Sequence, residues 1–192
     1  MKTNQLLFTV LLLVTAAVFQ LPAQQNEADR KLVAEIRARA EMGDAKSQER
    51  LGAAFFLGKG GLTKDEVEAV KWFRKAAEQN VADAQYNLGV CYANGQGVTE
   101  DDAESVKWFR KAAEQNLADA QYNLGVCYDS GEGVAKDEVE AYKWWLLAAG
   151  HGNDAKYNMT IVENKMTREQ IAEGQRLARD FKPRKVPSER ER

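Results

Sequence analysis

Lys71 to Tyr92 reads KWFRKAAEQNVADAQYNLGVCY, and Lys107 to Tyr128 reads the same apart from Leu117 in place of Val81. Trp72, Trp108 and Trp144 recur every 36 residues. A period of this length is the signature of stacked repeats and outranks any local motif. Each unit resolves into two helices. The first, expected from Ala82 to Ala93, carries Ala84, Leu88 and Tyr92 four residues apart beside the small Gly89. Asn94-Gly95-Gln96-Gly97 ends it, because glycine accepts the positive φ of a helix C-cap. The second helix is expected from Asp101 and Asp102, whose carboxylates suit a helix N-terminus, to about Gln115. Its apolar stripe is clearest one unit earlier, as Ala69, Trp72, Phe73 and Ala76, and returns as Ala141, Trp144, Trp145 and Ala148. Lys71, Arg74 and Lys75 fall on the opposite, wet face. One such helix pair cannot bury its own apolar face, so units must stack and the ends must be capped.

Working outward, residues 81–116 and 117–152 form two good units, and 45–80 a degenerate one that keeps Leu51 and Gly52 but has Glu49-Arg50 for Tyr-Asn. Residues 24–44 are expected as an N-terminal capping helix, with Leu32, Val33, Ile36 and Ala40 in helical register. Residues 153–182 restart the first helix one residue early and then add a capping helix, which starts at a Thr167/Gln170 capping box. Ile171, Leu177, Ala178 and Phe181 form its apolar side, and Pro183 ends it. The charged tail 183–192 is expected to be disordered. The fold class is therefore all-α, a solenoid of three helix-pair units, a partial fourth and caps.

The first two dozen residues differ in kind. Lys2, an uncharged run from Leu6 to Phe19, and Leu21-Pro22-Ala23 have the layout of a secretory signal peptide cleaved after Ala23, so residues 1–23 are expected to direct export to the periplasm or the outside. The apolar run is 14 residues, short of the roughly 20 that span a hydrocarbon core. No membrane association is expected after cleavage. A net charge of −2, with acids and bases interleaved, carries no field that would attract nucleic acid.

Small-x-x-x-Leu-Gly-x-x-Tyr, then Gly-x-Gly-Val, an acidic pair and Ala-x-x-Trp-Phe-x-x-Ala-Ala resembles the Sel-1-like repeat family, a relative of the tetratricopeptide repeats with a longer period. The likeness covers Ala45 to Met159 and is most specific in AQYNLGVCY, at Ala84–Tyr92 and Ala120–Tyr128, with Gly95, Gly97, Val98 and Gly131, Gly133, Val134. The ending Met166 to Phe181 is similar to the helix that closes bacterial arrays of this type. The resemblance implies a right-handed α/α superhelix used mainly to hold protein partners, in roles that range over envelope processes, signalling and host interaction.

No catalytic, cofactor or metal site is expected. The Gly-x-Gly loops recur in every unit with no strand before them, as structural turns do rather than phosphate cradles. Cys91 and Cys127 fill one slot in successive units. Their helices should lie roughly 8–10 Å apart, whereas a disulfide wants Cα atoms within about 7 Å, so free thiols are expected. A cysteine-rich secreted branch of the family carries two bridging cysteines per unit, with β-lactamase activity attributed to some members; those positions are not Cys here, and no Ser-x-x-Lys element is present. His151, the single histidine, sits in a turn.

The first helix of each pair, by analogy with tetratricopeptide units, lines the inner surface, with Asp83, Tyr86, Asn87 and Val90 towards a groove. Stacking then aligns Glu49, Tyr86, Tyr122 and Tyr157 in one row and Arg50, Asn87, Asn123 and Asn158 in another, with Asp83 and Asp119 beside them. Tyrosine offers rigid contact area with a polar tip, and asparagine can bond a peptide backbone. These rows fit a protein or peptide partner, and equally fit packing between units. A non-catalytic scaffold is the reading. An envelope hydrolase and a self-associating structural module stay open beside it, and the sequence assigns no oligomeric state.

Overall fold

The computed structural model describes residues 26–151 and 154–184. The expected signal peptide, the junction at Gly152-Asn153 and the tail from Lys185 lie outside the described residues. Among the described residues the secondary structure is helical throughout. Helix α1 covers 26–41. It is followed by α2 (Ala45–Leu57), α3 (Glu66–Glu78), α4 (Ala82–Asn94), α5 (Asp102–Glu114), α6 (Ala118–Ser130), α7 (Glu138–Ala148), a 3-10 turn (Ala149–His151), α8 (Ala155–Glu163) and α9 (Arg168–Asp180). The chain is an all-α helical solenoid. Helices α2/α3, α4/α5 and α6/α7 pair closely, and each pair stacks on the next through α3 against α4 and α5 against α6.

Chemistry at the helix ends repeats with the units. Asp65, Asp101 and Asp137 each accept a hydrogen bond from the backbone N–H three residues on, at 2.9–3.0 Å, which satisfies a donor that the first turn leaves unpaired. Gly95 and Gly131 close α4 and α6 in the left-handed region. Gly97 and Gly133, also at positive φ, serve a second purpose. A Cβ on either would lie under 3.0 Å from the main-chain carbonyl oxygen of Glu66 or Asp102, at the start of the second helix one unit earlier. The Gly-x-Gly loop is thus a joint between units.

The core stripe of the second helices is buried as expected at Ala69, Trp72, Phe73 and Ala76, and at Ala141, Trp144, Trp145 and Ala148. Glycines on the first helices make room for the aromatics: a Cβ on Gly89 would meet the Phe109 ring at 2.7 Å, and one on Gly125 the Trp145 indole at 2.6 Å. Trp108 departs from the pattern and is only half buried, with the Lys111 ammonium 3.9 Å from its ring centroid.

Glutamines stitch the stack from within. Buried Gln48, Gln85 and Gln121 each donate Nε2 to a main-chain carbonyl eight residues back, on Ala40, Ala77 and Ala113. Gln79 Nε2 then donates to Gln48 Oε1, and Gln115 Nε2 to Gln85 Oε1, both at 2.7 Å. Asn80 and Asn116 take positive φ, where asparagine is the most tolerant side chain after glycine, and accept from Gln85 and Gln121 at 3.1 Å. The Gln121 Oε1 oxygen is buried with no hydrogen-bond partner among the described residues.

The caps differ from expectation in two details. On α1, Val33, Ile36 and Ala40 pack on Leu51 and Trp72, but Leu32 is 54% exposed because the apolar arc of a single covering helix is narrower than the sequence period suggested. At the other end, Arg184, at the start of the expected disordered tail, is held against α5. Arg184 N donates to the Glu114 carbonyl at 2.7 Å, its guanidinium pairs with the Glu114 carboxylate at 2.9 Å, and the Phe181 ring stands edge-on to Trp144. Helix α9 docks on α7: the Tyr142 ring lies 2.7 Å from where a Gly174 Cβ would be, and the Tyr142 hydroxyl donates to Glu163 at 2.6 Å. The Thr167/Gln170 capping box is formed.

Candidate functional site

Turning 3.6 residues per turn, α4 presents Tyr86, Val90, Ala93 and Asn94 along one face, and α6 presents Asn123, Val126 and Cys127. With Phe109 of α5 and Glu132 they line an open recess of about 330 Å³. Three residues named from the sequence line it: Tyr86, Val90 and Asn123. The Tyr86 ring packs on Phe109 with centroids 5.8 Å apart.

The aligned rows are brought together, and they bond to one another. Asn158 Nδ2 donates to the Tyr122 hydroxyl at 3.2 Å. There the rows cross-link the third helix pair to α8, while Tyr86 and Asn123 line the recess. Tyr157 ends its row and is 70% exposed. In the degenerate unit the rows change character. Glu49 is mostly buried, and burial lifts its carboxyl above the ordinary range. Arg50 is exposed, and Asp83 is held by Lys46 at 3.0 Å. Asp83, Asp119 and Asn87 lie outside the recess lining.

Sequence reasoning missed Ala93, Asn94, Phe109, Val126, Cys127 and Glu132. The signal for Ala93 and Asn94 was the i, i+7 and i+8 ridge from Tyr86, and Val126 repeats Val90 one unit on. Phe109 and Glu132 carried no such signal, because they reach the recess from another helix and from a loop.

Cys91 and Cys127 are free thiols, the first buried and the second half buried. Burial, aided by Glu66 at Cys91 and by Glu132 and Asp102 at Cys127, pushes both up to about 11. At neutral pH they are protonated, which makes them poor nucleophiles and poor metal ligands. Among the described residues no cluster of three His, Cys, Asp or Glu side chains is placed to hold a metal ion, and no helix is long and apolar enough to cross a membrane.

The Sel1 repeat matches the chain three times in succession, at residues 45–81, 82–117 and 118–153, each match beginning at the first helix of a pair. The chain belongs to the Sel1 repeat family. Sel1 repeats are generally protein-interaction scaffolds and typically not enzymes. Among solved structures, the chain is similar to c5321, a protective antigen of uropathogenic Escherichia coli strains displaying an SLR fold, with 37% identity and a TM-score of 0.71 over 78% of this chain and 32% of that one. It is also similar to a Sel1 repeat protein from Oxalobacter formigenes, with 38% identity and a TM-score of 0.60 over 62% and 49% of the two chains. Helicobacter pylori cysteine rich protein B shares the fold at 23% identity and a TM-score of 0.53, over 68% of this chain and 94% of that one. The chain thus spans about a third of the length of c5321 and half that of the Oxalobacter protein. A search of curated proteins gives no match.

Proposed function

We propose that this Sel1 repeat chain is a non-catalytic scaffold that holds a peptide or an extended segment of a protein along its first-helix face, after export to the cell envelope or beyond. One observation carries the reading: the recess between α4 and α6 is lined by apolar Val90, Val126 and Phe109 together with Tyr86 and Asn123. Sites that hold ligands are concave and mostly apolar with a few placed polar groups. The Tyr86 ring is packed on Phe109 at 5.8 Å, so little of its side-chain freedom remains to be lost on binding.

The absence of catalysis is supported by chemistry. Both thiols are held protonated, and no convergent acid/base pair lines the recess, where Glu132 is the single carboxyl side chain. Export is supported by Lys2, the Leu6–Phe19 run and Ala23.

The binding reading is tested by placing a photo-crosslinking side chain at Val126 and, as a control, at Lys71 on the second-helix face. A partner peptide mapped by mass spectrometry from the Val126 position alone, and lost when Tyr86→Ala and Tyr122→Ala are combined in a chain of unchanged helicity, supports it. Equal crosslinking at both positions would sink it. A mature N-terminus at Gln24 would support export, and an intact Met1 in native material would count against it.

A further inference from the structure

Helix α5 faces two ways. Phe109 lines the first-helix recess, while Lys107 and Lys111, two residues to either side, stand about 200° round the helix. There they line a second recess, of about 310 Å³, with Glu104, Trp108, Arg110, Glu114 and Arg184. A third, of about 320 Å³, is lined by Glu114, Lys143, Trp144, Phe181, Lys182 and Arg184. These two share Glu114 and Arg184 and so adjoin. Six cations line the pair against two carboxylates, and both carboxylates are answered: Glu104 pairs with Lys107 and Glu114 with Arg184. Lys143 is held by Glu140 at 3.1 Å. Arg110, Lys111 and Lys182 line the recesses and join no ion pair among the described residues. Arg110 gives one guanidinium N–H to the Tyr128 hydroxyl and keeps others for a ligand. Lys111 and Lys182 are exposed.

Two further observations bear on what would sit there. Trp72 and Trp144, the counterparts of Trp108 one unit to either side, are buried, whereas Trp108 is half buried and lines the recess. An indole left partly wet beside cations offers apolar area next to the charge. The same face also holds one extended segment already: the Arg184 N–H donates to the Glu114 carbonyl, and the Phe181 ring stands against Trp144. The chain as a whole carries a net charge of −2, so a long polyanion such as nucleic acid would meet repulsion beyond this patch. A short acidic segment would not. From these observations, and independently of the first-helix recess, we infer that the paired recesses of α5 and α7 dock an acidic, extended segment of a partner protein. Its Asp or Glu carboxylates are taken by Arg110, Lys111 and Lys182, and an apolar side chain between them lies against Trp108.

The test uses fluorescein-labelled heptapeptides and the full mature chain, read by anisotropy. The probe is Glu-Glu-Leu-Glu-Glu-Leu-Glu, and its controls replace every glutamate by glutamine or by lysine. The glutamate peptide should bind saturably, about tenfold more tightly than the glutamine peptide, and the lysine peptide should not bind. Lys111→Glu combined with Lys182→Glu, two exposed changes checked for unaltered helicity, should weaken binding by about tenfold, and about 0.3 M salt should weaken it in the parent chain. Glu132→Lys, a charge change of the opposite sign in the first-helix recess, should leave it unchanged. No binding of the glutamate peptide, equal binding of the glutamine peptide, or no effect of the Lys111 and Lys182 changes overturns the inference. An effect of Glu132→Lys as large as theirs would make the attraction diffuse and overturn it too. If phosphatidylglycerol vesicles bind through Lys111 and Lys182 and the peptide does not, the surface meets lipid and the inference falls. It falls equally if the peptide binds only to a chain ended after Arg184, because the occupant is then the chain's own final residues.

Discussion

Asn158 Nδ2 donates to the Tyr122 hydroxyl at 3.2 Å, across the joint between the third helix pair and α8. Side chains that the sequence aligned along the first-helix face therefore bolt one unit to the next, so a substitution there acts on stability.

That coupling is measurable. Tyr122→Phe and Asn158→Ala should each lower stability by about 0.5–1.5 kcal/mol, the usual net value of one partly buried hydrogen bond. In a double-mutant cycle followed by urea denaturation, the two effects should fall short of adding by about 0.5–1 kcal/mol. Strict additivity would mean that the bond contributes nothing.

The two glycines of one loop should behave differently. Gly95→Ala needs only a left-handed alanine, since the nearest atom to its Cβ would be 3.5 Å away, and should cost roughly 1–2 kcal/mol. Gly97→Ala adds a collision with the carbonyl of Glu66 and should cost about 3 kcal/mol or more by opening the joint between units. Thermal denaturation of the pair decides, and equal losses would remove Gly97 from the joint.

Gln115 supplies the donor that Gln85 Oε1 accepts at 2.7 Å, and Gln79 does the same for Gln48. Gln115→Ala should lower stability by about 1–3 kcal/mol, because it orphans a buried acceptor. Urea denaturation of the variant decides, and an unchanged midpoint would mean that the bond contributes nothing.

Alkaline pH should weaken the fold. Cys91 and Cys127 lie at about 11 against an ordinary 9.0, and burial raises the phenols of Tyr86, Tyr128 and Tyr142 as well. A group that holds its proton more tightly when folded contributes stability that is complete below its unfolded value and is lost as pH climbs to its folded one. The melting temperature should therefore fall between pH 9 and 11, and fall less in a Cys91→Ala, Cys127→Ala chain. In the native chain at neutral pH, Cys91 should not react with a disulfide reagent until denaturant is added, whereas the half-buried Cys127 should react slowly. Rapid labelling of Cys91 would contradict its burial.

The repeat was readable in the sequence because its causes are local and periodic. Trp72, Trp108 and Trp144 mark the period, Gly95 and Gly131 stop helices, and Asp65, Asp101 and Asp137 start them; each needs only its own neighbours to act. What lay beyond reach were contacts between residues far apart in the chain. The arrangement alone decided that Phe109 and Glu132 share a recess with Tyr86, that Tyr142 in the slot of Val70 and Val106 receives the capping helix, and that Arg184 turns back to Glu114. Three-dimensional placement also decided what the Tyr and Asn rows do, since a row read along a helix shows which side chains align and not which of them touch. Local propensity and period determined the units and their order; the distances across their joints, which no single unit encodes, determined the candidate site.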